Sequence, residues 1–220
     1  MLDEVALSTV MADVGYSRLK RHVYRAEWST PDVEHLMYFL LYGTPKDFLT
    51  VDFGLKNLEA EIFAIKEIKK YGGVSHQVLR YDERIDSFMR FSLGTLASWG
   101  LRASIRISAM TGAKLAEKIR SDIDEKLLPI VEGVRTLNEL LSVLLLDVEP
   151  FPWVRCNGAI RAGEVVNLAR RLGMKPSEMR ALLKPVSKWI RVDLAKAPDP
   201  DPDSYVEKLI HDSSGNGSAR

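Results

Sequence analysis

Cysteine is almost missing from this chain: Cys156 is the single one in 220 residues. One thiol excludes an intrachain disulfide framework and a multi-cysteine zinc site. It fits a reducing compartment, so a cytoplasmic location is expected. Net charge is missing as well. The 31 Lys and Arg residues face 30 Asp and Glu, leaving +1, so no global field draws in a polyanion. No hydrophobic run is long. Leu137 to Leu146 is interrupted by Asn138 and Glu139 and is about half the roughly 20 residues that span a bilayer. Met1 to Val14 carries Asp3, Glu4 and Asp13 where a signal peptide would be basic and then apolar. No membrane partner is expected.

Several chemistries lack their residues. There is no Gly-x-x-x-x-Gly-Lys-Ser/Thr loop for phosphate, and His22, His35, His76 and His211 are scattered without metal-ligand spacing. Asp199, Asp201 and Asp203 lack the glycine and terminal glutamate of a calcium loop. Cys156 beside Arg155 has no base near it in sequence. No cofactor, metal or catalytic residue is expected, and an enzyme ranks third among the functions considered.

What is present is enough for a core: 46% hydrophobic and 28% charged residues, the balance of a globular chain. A helix over Met1–Val14 gives way to period-two alternation from Arg21 to Ser29, where Tyr24, Ala26 and Trp28 share a face. Glu34 to Tyr42 holds a continuous apolar run, as a strand covered on both faces requires. Leu49, Val51, Phe53 and Leu55 alternate in a third strand. The short connectors favour antiparallel hairpins. Asn57 can cap a helix with Leu58, Ile62, Ile65 and Ile68 as its inward stripe. A fourth strand is predicted near Ser87 to Thr95 and a fifth over Leu101 to Ala109.

From Leu115 to Leu144 apolar residues recur every three or four positions, one face of a long helix broken near Pro129 or Gly133. Helices are predicted over Ile160–Leu172 and Ser177–Arg191. A stiff Pro-Asp linker then leads to a short helix through Ile210, capped by Asp203 or Ser204. The fold class is α+β: an N-terminal antiparallel sheet of four or five strands with flanking helices, then a helical C-terminal part. The expected divisions are 1–110, 111–196 and 197–220.

Gly15-Tyr16, Val23-Tyr24-Arg25, the strand ending at Gly43 and Phe48-Leu49-Thr50-Val51-Asp52-Phe53-Gly54 resemble the opening of a small bacterial domain-of-unknown-function family. The resemblance covers the first half of the chain. It implies an α+β fold and no activity.

The charge that cancels overall is segregated locally. Residues 155–191 hold nine basic and two acidic side chains. Within them, Leu168 to Leu182 is similar to a helix-turn-helix: Ala169 permits a close crossing, Gly173 makes the turn, and Pro176 opens the second helix. Met174, Met179 and Leu182 would pack inward; Ser177, Arg180, Ala181 and Lys184 would face outward. Glu178 at the helix start and Pro185 depart from the motif, and two ordinary packed helices fit the same residues. The expected function is non-catalytic recognition of a protein partner through this segment, with nucleic acid as the alternative. The candidate contacts are Arg161, Arg170, Arg171, Lys175, Ser177, Arg180, Lys184 and Lys188.

Overall fold

A computed structural model describes residues 4–44, 46–71, 81–100, 103–146, 158–185, 187, 190 and 201–211. They fall into two compact units interleaved along the chain. Described residues within Met1–Lys56 and Met89–Thr136 form the first; those within Asn57–Phe88, Leu137–Phe151 and Cys156–Arg220 form the second. The division expected at 110/111 lies inside the first unit. No helix among the described residues is long and apolar enough to cross a membrane.

The first unit is the sheet. Helix α1 (Glu4–Asp13) leads into β1 (Tyr16–Lys20), β2 (Val23–Ala26), β3 (Glu34–Tyr42) and β4 (Phe48–Lys56); β5 (Met89–Ser92) and the two-residue β6 (Ile105–Arg106) follow. The order is β1-β2-β3-β4-β5, antiparallel throughout, with β6 also on β4. β3 pairs with β4 along its whole length, so β4's other edge takes β5 at Asp52–Leu55 and β6 at Phe48–Leu49. Of the apolar run, Leu36 to Phe39 is buried on both faces as predicted, whereas Leu40 is exposed and Leu41 and Tyr42 are half-buried, so the cover ends before the strand does. The predicted strand over Arg21–Ser29 is one arm of a hairpin. Tyr16–Lys20 forms the other, and the chain turns at His22 in the left-handed region (φ 63). β1 escaped the pattern because its side chains after Tyr16 are exposed, so burial imprints no alternation on it.

The predicted fifth strand shrinks to β6 because Ile107–Ala109 is a 3₁₀ turn. The Asp47 carboxylate holds that turn, accepting from Arg106 Nε (2.8 Å), Ser108 N (2.8 Å) and Ser108 Oγ (2.7 Å). The fourth strand ends at Ser92, where the chain enters α3 (Leu93–Leu96).

The long helical stripe also divides. Leu115, Ile119, Ile123 and Leu127 recur every four residues, and an α-helix drifts by about 40° over each such step. Helix α4 (Gly112–Asp122) is therefore followed by a π turn over Ile123–Leu127 before α5 (Leu128–Val131). The wider turn absorbs the drift and keeps the stripe on the core, so Val131 (2% exposed) continues it and Ile130 (45%) points out. The stripe does not run on to Leu144: α6 (Leu137–Leu144) belongs to the second unit.

The second unit is helical: α2 (Leu58–Lys70), α6, α7 (Gly158–Arg171), α8 (Pro176–Leu183) and α9 (Pro202–His211). Asn57 caps α2, its Oδ1 accepting from Ala60 N at 3.0 Å. Of the predicted inward stripe of α2 only Ile68 is buried. Ala60, Glu61, Ala64, Glu67 and Ile68 are buried, whereas Leu58 and Ile62 are exposed. The cause lies in α7. A Cβ on Gly163 would sit 2.8 Å from Cα and Cβ of Ala64, so the two helices meet at their small residues and large side chains cannot enter the seam. Asp201 caps α9, accepting from Ser204 N at 3.1 Å, in place of the predicted Asp203 or Ser204. Pro202 takes the first turn, where a missing N–H costs nothing.

Candidate partner-binding surface

The turn between α7 and α8 closes as the glycine spacing demands. Gly173 is left-handed (φ 76), and its N–H donates to Arg170 O (2.8 Å) while that of Met174 donates to Ala169 O (3.0 Å). This pair of bonds is the Schellman closure, which satisfies two carbonyls at the end of α7. Pro176 opens α8, and the Lys175 N–H donates to Glu178 Oε2. The amide that a phosphate would use at this helix start is thus taken by the helix's own carboxylate. Met179 is buried and Met174 and Leu182 are half-buried; Leu183, not singled out from the sequence, is buried as well. α8 ends at Leu183, before Pro185.

The seven candidate contacts among the described residues do not share a face. Arg161 is only 8% exposed. Its guanidinium donates to Leu144 O and, at 3.1 Å, to Leu146 O, capping the C-terminal end of α6, where a cation complements the helix dipole. Arg161 is therefore a structural residue and leaves the contact set. Arg170 lies with its guanidinium 5.4 Å from the Phe63 ring centre, and burial lowers its pKa against the opposing pull of Glu67. Arg171 donates to Asn57 Oδ1 and pairs with Glu59, both at 3.0 Å. Both arginines are turned toward α2, in keeping with a helix whose interior is buried nearly end to end.

Ser177, Arg180, Ala181 and Lys184, the outward positions predicted for the second helix, are exposed along α8 and at its end, and Lys175 just before it is exposed as well. Lys188 lies outside the described residues, as do Arg155 and Arg191. Arg180 is answered by Glu207 of α9 through a two-pronged pair, with Nη2 2.7 Å from Oε2. That hydrogen bonding holds the Glu207 carboxyl below its ordinary range and raises Arg180. Beside the pair, α8 and α9 enclose a shallow groove of about 230 Å³ with Leu183 and Val206 apolar, and Lys184, Ser187 and Asp203 along it. α9 is fixed on α7 by Tyr205, which is fully buried, donates to Ala159 O (3.0 Å) and stands edge-on to Tyr71 (4.7 Å between centroids).

Two acids missed in the sequence lie between α2 and α7. Glu61 accepts from the Tyr81 hydroxyl and, at 2.9 Å, from Phe88 N. Glu164 is 3% exposed and its Oε1 has no partner among the described residues. Burial raises the Glu164 pKa well above the ordinary value; the charge of Glu61 raises it further, and Arg161 works the other way. The available signal was the spacing of small residues, Ala60 and Ala64 on one helix and Ala159 and Gly163 on the other.

The remaining sequence candidates resolve as structure. His35 is fully buried between Trp28 and Phe53, its Nε2 2.7 Å from Val134 O. His22 sits in the hairpin turn, and its neighbour Val23 pairs with Tyr38, so the two histidines do not oppose each other. Asp122 accepts from Trp99 Nε1 (2.6 Å) and pairs with Lys118 (2.9 Å), and Trp99 is a core residue. Cys156 and His76 lie outside the described residues. No group of three or more metal-capable side chains occurs among the described residues. The chain matches no protein-family model, no curated protein and no solved structure.

Proposed function

We propose that the protein is a non-catalytic recognition module that takes a protein partner on the outer face of α8 and the groove α8 shares with α9. The observation that carries this reading is the Arg180–Glu207 pair beside an apolar floor of Leu183 and Val206. A polyanion gains little from an arginine already neutralised by a carboxylate, and it meets Glu178 at the helix start. A protein surface can answer both charge signs. Two cations, Lys175 and Lys184, remain on this face to set orientation. The single cysteine in 220 residues supports a reducing compartment such as the cytoplasm.

The test pairs two titrations. Labelled duplex and single-stranded oligonucleotides are titrated with the protein at about 50 and 200 mM salt, with no binding expected. Proteins captured by the wild type are compared by quantitative mass spectrometry with those captured by the Lys175→Glu, Lys184→Glu variant, and at least one specific loss is expected. Oligonucleotide binding that weakens by orders of magnitude over that salt range would replace the protein partner by nucleic acid. Identical capture by both proteins would remove this face.

A further inference from the structure

Helix α2 carries apolar side chains on two sides, and the described residues leave the second of them partly exposed. At about 100° per residue, the buried Ala60, Glu61, Ala64, Glu67 and Ile68 lie opposite an outward arc centred on Ile62. Leu58 and Ile65 fall to one side of that centre; Glu59 and Lys66 fall to the other. Leu58 is 39% and Ile62 43% exposed. With Ile65, Lys66 and Lys69, Ile62 lines one wall of a groove of about 650 Å³ whose far wall is Tyr81 to Arg84. Lys66 makes no ion pair with a described residue, and Glu59 meets Arg171 while remaining highly exposed.

We propose that this face is a two-fold interface with a second copy of the chain, formed by antiparallel pairing of α2 about Ile62. A two-fold axis perpendicular to both helices keeps each flank on its own side. Glu59, three residues before the axis, then stands against Lys66 of the second copy, four residues beyond it; at a rise of about 1.5 Å per residue they miss alignment by one residue only. Leu58 meets Ile65 of the second copy by the same arithmetic on the other flank, and the two Ile62 side chains meet at the axis. The acidic start and basic end of one outward arc are thus complementary to themselves. An acidic foreign helix would satisfy Lys66 but oppose Glu59. The surface is separate from the α8–α9 groove, so either can fail alone. One helix pair buries less than the roughly 1,200 Å² of a standard interface, which implies weak, concentration-dependent association.

The experiment is sedimentation equilibrium of the full chain from about 10 to 500 µM, a range that brackets weak association. The mass is expected to rise from that of one chain toward two. Ile62→Glu should hold it at one chain, and Glu59→Lys, which sets lysine against lysine, should reduce dimer at the highest concentration several-fold. Combining Glu59→Lys with Lys66→Glu should restore most of it, because the pair across the axis is exchanged while only the exposed Glu59–Arg171 contact stays lost. These side chains are exposed, so the variants keep the core, and a circular dichroism melt verifies that. A single-chain mass at the highest concentration overturns the proposal. So does a dimer that survives Ile62→Glu, or a double variant that stays as weak as Glu59→Lys.

Discussion

Lowering the pH should destabilise the first unit through His35. The imidazole is fully buried, Nε2 donates to Val134 O at 2.7 Å, and Nδ1 has no partner among the described residues. Burial is the largest influence on it. It lowers the pKa to about 4, with the Val134 bond opposing and the charge of Arg135 assisting. In the unfolded chain the ordinary value near 6.5 returns. The unfolded state therefore binds a proton between these two values while the folded state does not. Stability is whole above pH 6.5 and is lost as the pH falls toward about 4. At roughly 1.4 kcal/mol per tenfold the full loss is about 3 kcal/mol, a large part of the 5–15 kcal/mol or so that holds a typical domain. The assay is urea unfolding of wild type and His35→Gln at pH 7, 5.5 and 4. Glutamine has an amide N–H to offer Val134 O and does not titrate. The wild type should lose about 3 kcal/mol more than the variant between pH 7 and 4. Parallel pH profiles for the two proteins would refute the reasoning.

Glu164 titrates in the opposite sense. Its folded pKa is raised by burial and by Glu61, so its stabilising effect is whole below pH 4.5 and is lost as the pH rises through the folded value; Glu164→Gln should raise the urea midpoint at pH 8 and leave it nearly unchanged at pH 4. Gly163→Ala places a Cβ 2.8 Å from Ala64, and forcing α2 from α7 should cost about 1–3 kcal/mol despite alanine's better helix propensity, read as a lower denaturant midpoint with unchanged slope. Arg161→Met removes the donors to Leu144 O and Leu146 O and leaves two helix-end carbonyls without them, for a loss of about 2–4 kcal/mol in the same measurement. Asp201→Ala takes the cap from α9; about 1 kcal/mol and faster amide exchange at the start of that helix should follow.

Local chemistry alone determined much of this protein. The apolar run of β3, the alternation of Leu49 to Leu55, the Asn57 cap, and the Gly173–Pro176 turn each specify their conformation through neighbours within a few residues. Strands β2 to β4 and helices α2, α7 and α8 were therefore legible, as were the outward positions of Ser177, Arg180, Ala181 and Lys184. Periodicity reports only that a helix has an apolar stripe, and α2 has two candidate faces. The glycine of α7 chose between them by admitting Ala64 and excluding Ile62, a decision made across about 100 residues of sequence. The same distance hid the acids Glu61 and Glu164 and turned Arg161 from a surface cation into the cap of α6. The net charge of residues 155–191 was read correctly as a sum. Its meaning depended on where the guanidiniums ended, and for Arg161, Arg171 and Arg180 two backbone carbonyls, Glu59 and Glu207 decided that. Short-range hydrogen bonds and steric limits are written in sequence order. The neutralisation of a charge and the choice of a buried face depend on partners that only the folded chain brings near.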